Sequence, residues 1–160
     1  MTTTVLAAAL DLASPDSLRV RAVTQQGHEV ILDGDEERAD GSALGPKEAV
    51  LVALAGCTGM DVVSILRKKR QQALRYEVAV SAESATEHPR VYTSISVEHR
   101  VAGAVDPEAL RRAVELSATR YCPVSAMLSA SVRLEHRYRL EVGGEDPVGA
   151  LVVVTGPGAD

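Results

Sequence analysis

The sequence predicts an α+β protein in which an antiparallel sheet packs on one long, buried central helix. Two observations lead there. Between Gly45 and Gln72 the apolar residues Val50, Leu51, Val52, Leu54, Met60, Val62, Val63, Ile65 and Leu66 fall on every side of a 3.6-residue wheel, the mark of a helix buried all round. The elements around it run strand, strand, strand, long helix, hairpin, helix, short helix, strand, an order that fits helices set against an antiparallel sheet. One modest sheet cannot cover such a helix, so a second copy of the chain is expected to complete the core as a homodimer.

The elements follow from local chemistry. Thr3 to Leu12 and Leu18 to Val23 are short, weakly alternating strands, with Ser14-Pro15-Asp16 as the turn signal between them. Glu29 to Leu32 is a third strand after Gly27, and Asp33 to Gly41 reads as an acidic, solvated loop. In the central helix Pro46 suits the first turn, Glu48 complements the positive end of the dipole, and Arg67 to Arg70 complement the negative end. Gly56 and Gly59 each cost about 1 kcal/mol relative to alanine in mid-helix, so close approach to the backbone beside Cys57 is expected.

Beyond the helix, Arg75 to Ala82 and Val91 to Val101 alternate and read as an antiparallel hairpin across a loop holding Glu87-His88-Pro89. Asp106-Pro107-Glu108 is an N-cap, a proline at the first helical position and a first-turn acid. Leu110, Val114, Ser117 and Tyr121 then share one face of a helix expected to reach Tyr121. Pro123 cannot continue that helix but can open another, from about Val124 to Ala130, with Cys122 as its cap. A thiol so placed is expected to have its thiolate stabilised. Val132 to Val142 alternates again as a strand. The domain is expected to span residues 1–142, followed by a tail, 143–160, whose run Val148 to Val154 reads as an edge strand or a segment laid against a partner.

Composition narrows the function classes. The chain has 160 residues, 46% of them hydrophobic, with no Phe, no Trp and four Tyr, so Val, Leu and Ala must fill the core. Few aromatics and a net charge of -5 argue against a nucleic-acid partner. No uncharged apolar run approaches a membrane span and Met1 to Leu12 lacks signal-peptide features, so a cytoplasmic protein without a membrane partner is expected. The histidines at 28, 88, 99 and 136 show no metal-ligand spacing, which disfavours a metal. Two cysteines 65 positions apart are no disulfide framework. They are either two buried structural residues or a reactive pair.

Pro46-Lys47-Glu48 leading into Leu54-Ala55-Gly56-Cys57, then Met60-Asp61-Val62-Val63 with Ile65-Leu66, and later Tyr121-Cys122-Pro123-Val124-Ser125, resemble the OsmC/Ohr family of osmotically inducible and organic-hydroperoxide-resistance proteins. Gly27-His28 and Ile31-Leu32-Asp33-Gly34 resemble the N-terminal segment of its OsmC-like subgroup, and the likeness runs from about Leu18 to Leu140. The resemblance implies an OsmC-like fold in an intertwined homodimer with the active sites at the subunit interface. It also implies a thiol-dependent peroxidase: Cys57 attacks a hydroperoxide and becomes a sulfenic acid, Cys122 condenses with it to a disulfide, and a dithiol reductant restores the pair. No metal or organic cofactor takes part in that scheme.

In the family's organic-peroxide enzymes, an arginine near the N-terminus, held by a glutamate ten residues before the first cysteine, stabilises the thiolate. Here that position is Lys47 and Glu48 is nine before; Arg19 and Arg21 are the nearby arginines. Glu48 is therefore carried both as a candidate catalytic residue and as a plain first-turn acid. On an unbroken helix it points about 180° away from Cys57 and about 13 Å along the axis. Asp61 lies one turn beyond Cys57 on the same face, where a carboxylate raises a thiol's pKa. Three functions stay open: a two-cysteine peroxidase preferring organic hydroperoxides, a thiol redox switch or oxidoreductase without peroxide turnover, and a protein binding an apolar small molecule.

Overall fold

The computed structural model describes residues 4–10, 18–34, 42–143 and 146–159. The chain forms two compact units, Met1–Val50 and Leu51–Asp160. In the first, β1 (Leu6–Leu10), β2 (Val20–Thr24) and β3 (Glu29–Leu32) form an antiparallel sheet in that order. Gly27, at φ +84°, closes the turn between β2 and β3, its N–H donating to the Thr24 carbonyl; a left-handed residue there favours glycine. The Ser14-Pro15-Asp16 turn and residues 35–41 of the acidic loop lie outside the described residues. Asp33, expected on that solvated loop, is instead buried, its carboxylate accepting from the Gly34 amide at 2.8 Å.

The long helix α1 runs Pro46–Lys68. Glu48 reaches back to accept from the Gly45 amide at 2.8 Å, half of a capping box. The other end stops without a glycine: Arg70 takes the left-handed conformation at φ +57°, and the Gln71 amide donates to the Leu66 carbonyl, closing the last turn. By length and composition alone α1 passes for a membrane span, contrary to the sequence expectation, a test that the core helix of a soluble protein also passes.

The second unit is built on a four-stranded sheet of β4 (Gln72–Ser84), β5 (Tyr92–Ala104), β6 (Arg133–Glu141) and β7 (Val148–Thr155), in that order. β4 with β5 and β6 with β7 are antiparallel, but β5 and β6 are parallel, Val97 opposite His136 and Val101 opposite Leu140. The sheet is therefore mixed, not purely antiparallel as expected, because the helices between β5 and β6 form a crossover that returns the chain in the same direction. The Val148 run supplies the edge strand β7.

The crossover opens with α2 (Pro107–Leu116), whose Asp106 cap accepts from the Glu108 amide at 3.1 Å. The helix does not reach Tyr121 as an α-helix. From Ser117 to Tyr121 it widens into a π-helical turn, and the Cys122 amide donates to the Ser117 carbonyl at 2.9 Å. The wider turn takes Tyr121 off the face it was expected to share: Ser117 is buried and Tyr121 is 51% exposed. The short helix α3 (Pro123–Leu128) follows.

Two apolar clusters hold this unit. Leu54 packs with Ile95, Val97, Val132 and Leu134, while Val62 and Leu66 pack with Val101, Leu110, Ala113, Val114 and Leu140. Each such side chain contributes about 1.5–3 kcal/mol on burial. Among the described residues, α1 buries the face that carries Leu54, Thr58, Gly59, Val62 and Leu66. Val52 and Met60 stand 61% and 72% exposed, so the helix expected to be buried all round is buried on one side among the described residues.

Candidate functional site

Cys57 lies on α1 and Cys122 caps α3, and the fold brings them together. The two sulfurs and a carboxylate oxygen of Asp61 all lie within 4.8 Å of one another. Asp61 arrives by helical periodicity, one turn after Cys57. Cys122 arrives through the π-helical turn and Pro123, which set it at the start of α3.

Cys57 is half-buried and Cys122 buried. The Ser125 amide donates to the Cys122 sulfur at 3.3 Å, and the Ser117 hydroxyl donates to Asp61 Oδ2 at 3.1 Å. Burial first, then the hydrogen bond with Cys122, push the Cys57 thiol up to about 11; the Val124 backbone N–H opposes this, and the charge of Asp61 adds to it. The upward influence anticipated for Asp61 is present, though desolvation is the larger cause. In chemical terms the arrangement is a close dithiol, able to close a disulfide, with one thiol held protonated at neutral pH.

The glycines flanking this segment differ. A Cβ on Gly59 would lie 3.2 Å from Val78 Cγ2 and 3.5 Å from Tyr76 Cε1, whereas one on Gly56 would meet nothing within 4 Å. Gly59 thus admits β4 against the helix. Gly56 faces an open groove of about 710 Å³ lined by Ala55, Gly59, Met60, Val63, Tyr76 and Val78 among others.

The other candidates lie apart from the thiols in role. The Glu48 carboxylate makes the cap contact with Gly45. Arg21 is held by Glu29 through two hydrogen bonds, at 2.5 and 2.7 Å, on an exposed strand face. Arg19 donates to Ser42 Oγ at 2.8 Å.

A buried polar group near the helix was not singled out from the sequence. His99 and Tyr76 share a hydrogen bond of 2.6 Å, and His136 stands on the neighbouring strand. Burial, with the charge of His136, lowers His99 to about 3; burial lowers His136 to about 4. Both are neutral at pH 7. The signal was present in the alternation: His99 follows Ile95 and Val97 on one face of β5, and His136 follows Leu134 on β6, so period two already turns both inward.

Residues 39–137 match the model of the OsmC-like protein family. Protein YhfA of Escherichia coli (strain K12) is 40% identical over 115 residues, which is 71% of this chain and 84% of that protein. Among solved structures, a hypothetical protein from Aquifex aeolicus VF5 superposes with a TM-score of 0.75 at 29% identity, over 89% of this chain and 99% of that one. An organic hydroperoxide resistance protein OsmC from Legionella pneumophila shares the fold, with a TM-score of 0.59 at 14% identity over 89% and 98% of the two chains. With the family model spanning well over half its length and the two cysteines of the motif meeting in space, the chain belongs to the OsmC-like protein family.

Proposed function

We propose that the protein is a thiol-dependent peroxidase that reduces hydroperoxides through Cys57 and Cys122. The observation that carries this reading is the approach of the two sulfurs to within 4.8 Å, close enough for a side-chain rotation to bring them to bonding distance. The Cys57 thiolate attacks the terminal oxygen of the hydroperoxide, the O–O bond breaks, and the alkoxide leaves with a proton as the alcohol. Cys57 is then a sulfenic acid. Cys122 attacks that sulfur, water leaves, and the disulfide forms. A dithiol reductant returns both thiols with two electrons and two protons.

An organic hydroperoxide suits the apolar groove on the α1 surface better than hydrogen peroxide does, and organic-hydroperoxide-resistance proteins of this fold support the same preference. Glu48 enters as the acid that fixes the start of α1. A second copy of the chain covering the open face of α1 completes the proposal as a homodimer in the cytoplasm.

The raised Cys57 pKa favours a slow enzyme at neutral pH. With a pKa of about 11, only about one thiol in ten thousand is ionised at pH 7. The close dithiol itself supports, as a second reading, a redox switch oxidised by disulfide exchange that begins at Cys122, without peroxide turnover. Stopped-flow oxidation of the reduced protein by cumene hydroperoxide and by hydrogen peroxide separates the two. A peroxidase shows a rate that rises about tenfold per pH unit from 7 to 10 as thiolate accumulates. Cys57→Ser abolishes it, and Cys122→Ser leaves a sulfenic acid at Cys57 that dimedone labels. Inertness to both peroxides, with a disulfide formed readily by oxidised glutathione, establishes the switch instead.

A further inference from the structure

We propose that the reduced protein binds a thiophilic divalent cation, zinc being the natural case, through Cys57 Sγ, Cys122 Sγ and the Asp61 carboxylate. This goes beyond the peroxidase reading and does not depend on it. The histidines at 28, 88, 99 and 136 take no part, and the three donors come from two distant segments that the fold unites.

Geometry carries the inference first. The three donor atoms lie within 4.8 Å of one another. Two sulfurs bound to one zinc at about 2.3 Å, with tetrahedral angles, are about 3.8 Å apart, and a sulfur and a carboxylate oxygen about 3.5 Å, so contraction by about 1.3 Å at most brings the set onto a metal. Two donors sit on one helical face one turn apart, and the third is fixed by Pro123 and the preceding π-helical turn.

Surrounding contacts already hold the donors as metal ligands are held. Ser117 donates to the Asp61 oxygen Oδ2, fixing the carboxylate, while the Ser125 amide donates to Cys122. Hydrogen bonds of this kind orient ligands and stabilise metal-bound thiolates. The charges agree as well: a carboxylate beside two thiols works against a lone thiolate but complements a dication. Binding displaces one proton from each thiol to solvent. Three protein ligands leave the fourth tetrahedral position to water, reached from the half-exposed Cys57 side. Because a disulfide removes both sulfur donors, the metal and the oxidised pair exclude one another. Zinc would thus compete with oxidation, since the disulfide can form only as the metal leaves.

Cobalt titration of the fully reduced protein tests this directly. One equivalent of Co²⁺ should give a thiolate-to-metal charge-transfer band with tetrahedral d–d bands, and Zn²⁺ should displace it. Cys57→Ser and Cys122→Ser should each lose the charge-transfer intensity of one thiolate and weaken zinc binding. Asp61→Asn should retain the two-thiolate band while weakening zinc at least about tenfold, as the loss of a ligand's partner alone does. Should a substitution disturb folding, the unsubstituted protein still decides: zinc should protect both thiols from iodoacetamide, located by mass spectrometry, and EDTA should expose them again. No cobalt band and no protection with both thiols reduced, or unchanged zinc binding in the Cys57→Ser/Cys122→Ser double variant, overturns the site. Either result leaves the stopped-flow test of peroxide reduction untouched.

Discussion

The two faces of α1 are nearly equal in hydrophobicity and opposite in fate. One presents Leu54, Val62 and Leu66, which are 0–2% exposed against β5, β6 and α2. The other presents Gly56 and Met60 to an open groove and leaves Val52 61% exposed. The difference shows that apolar periodicity reports how much cover a helix calls for, while the chain's own sheet determines how much of it is supplied in cis. The uncovered half is the physical ground for expecting a second subunit.

The largest expected effect strikes the covered side through acid. Between pH 6.5 and 5.0 the unfolded chain takes up protons on His99 and His136 that the folded chain, with pKa values of about 3 and 4, does not. Their folded pKa values are depressed, so their contribution is complete above 6.5 and declines as pH falls toward those values. The slope approaches about 1.4 kcal/mol per pH unit for each histidine only well below pH 6.5, so the pair costs about 3 kcal/mol over this window. Urea midpoints at several pH values measure it. His136→Leu should halve the slope and lose no hydrogen bond, since neither ring nitrogen of His136 has a partner among the described residues.

Of similar size, Leu54→Ala should lower the unfolding free energy by about 2–5 kcal/mol, because the cavity opens beneath Ile95, Val97 and Leu134. Met60→Ala on the other face should change the stability of the subunit by less than about 0.5 kcal/mol. Equal losses at both positions would show the two faces to be equally covered in solution. Gly59→Ala comes third: its methyl must push Val78 back from 3.2 Å, a packing cost of about 1–3 kcal/mol that a gain of about 1 kcal/mol in helix propensity partly offsets, read from the same denaturation curves.

Local chemistry made much of this legible in the sequence. Asp106-Pro107-Glu108 fixed the start of α2, Glu29–Leu32 emerged with its expected bounds, and alternation placed the inward residues of β5 and β6. What stayed hidden depended on distant partners. Nothing local in Val132–Val142 says that β6 runs parallel to β5, since that direction is set by the crossover. The π-helical turn at Ser117 inserts a residue that no helical wheel shows. Cys57 and Cys122 could be suspected of pairing only through the family motif, because 65 residues separate them, and the place of Asp61 beside both sulfurs needed the fold.

Gly56→Ala is the smallest expected effect and probes the comparison most finely. Among the described residues a Cβ at this position meets nothing within 4 Å, and alanine favours a mid-helix position by about 1 kcal/mol. A glycine kept at that cost, on an apolar face already open, is explained if a second subunit approaches the backbone from outside. The substitution should therefore stabilise the chain by about 1 kcal/mol where it is dilute enough to dissociate, and that gain should shrink or reverse as concentration rises and the added methyl obstructs association. Urea midpoints of the wild type and the variant across a range of protein concentrations, with sedimentation velocity at the same points, give the answer. A gain of the same size at every concentration would leave Gly56 without a partner to accommodate and remove the open face of α1 as the reason for a dimer.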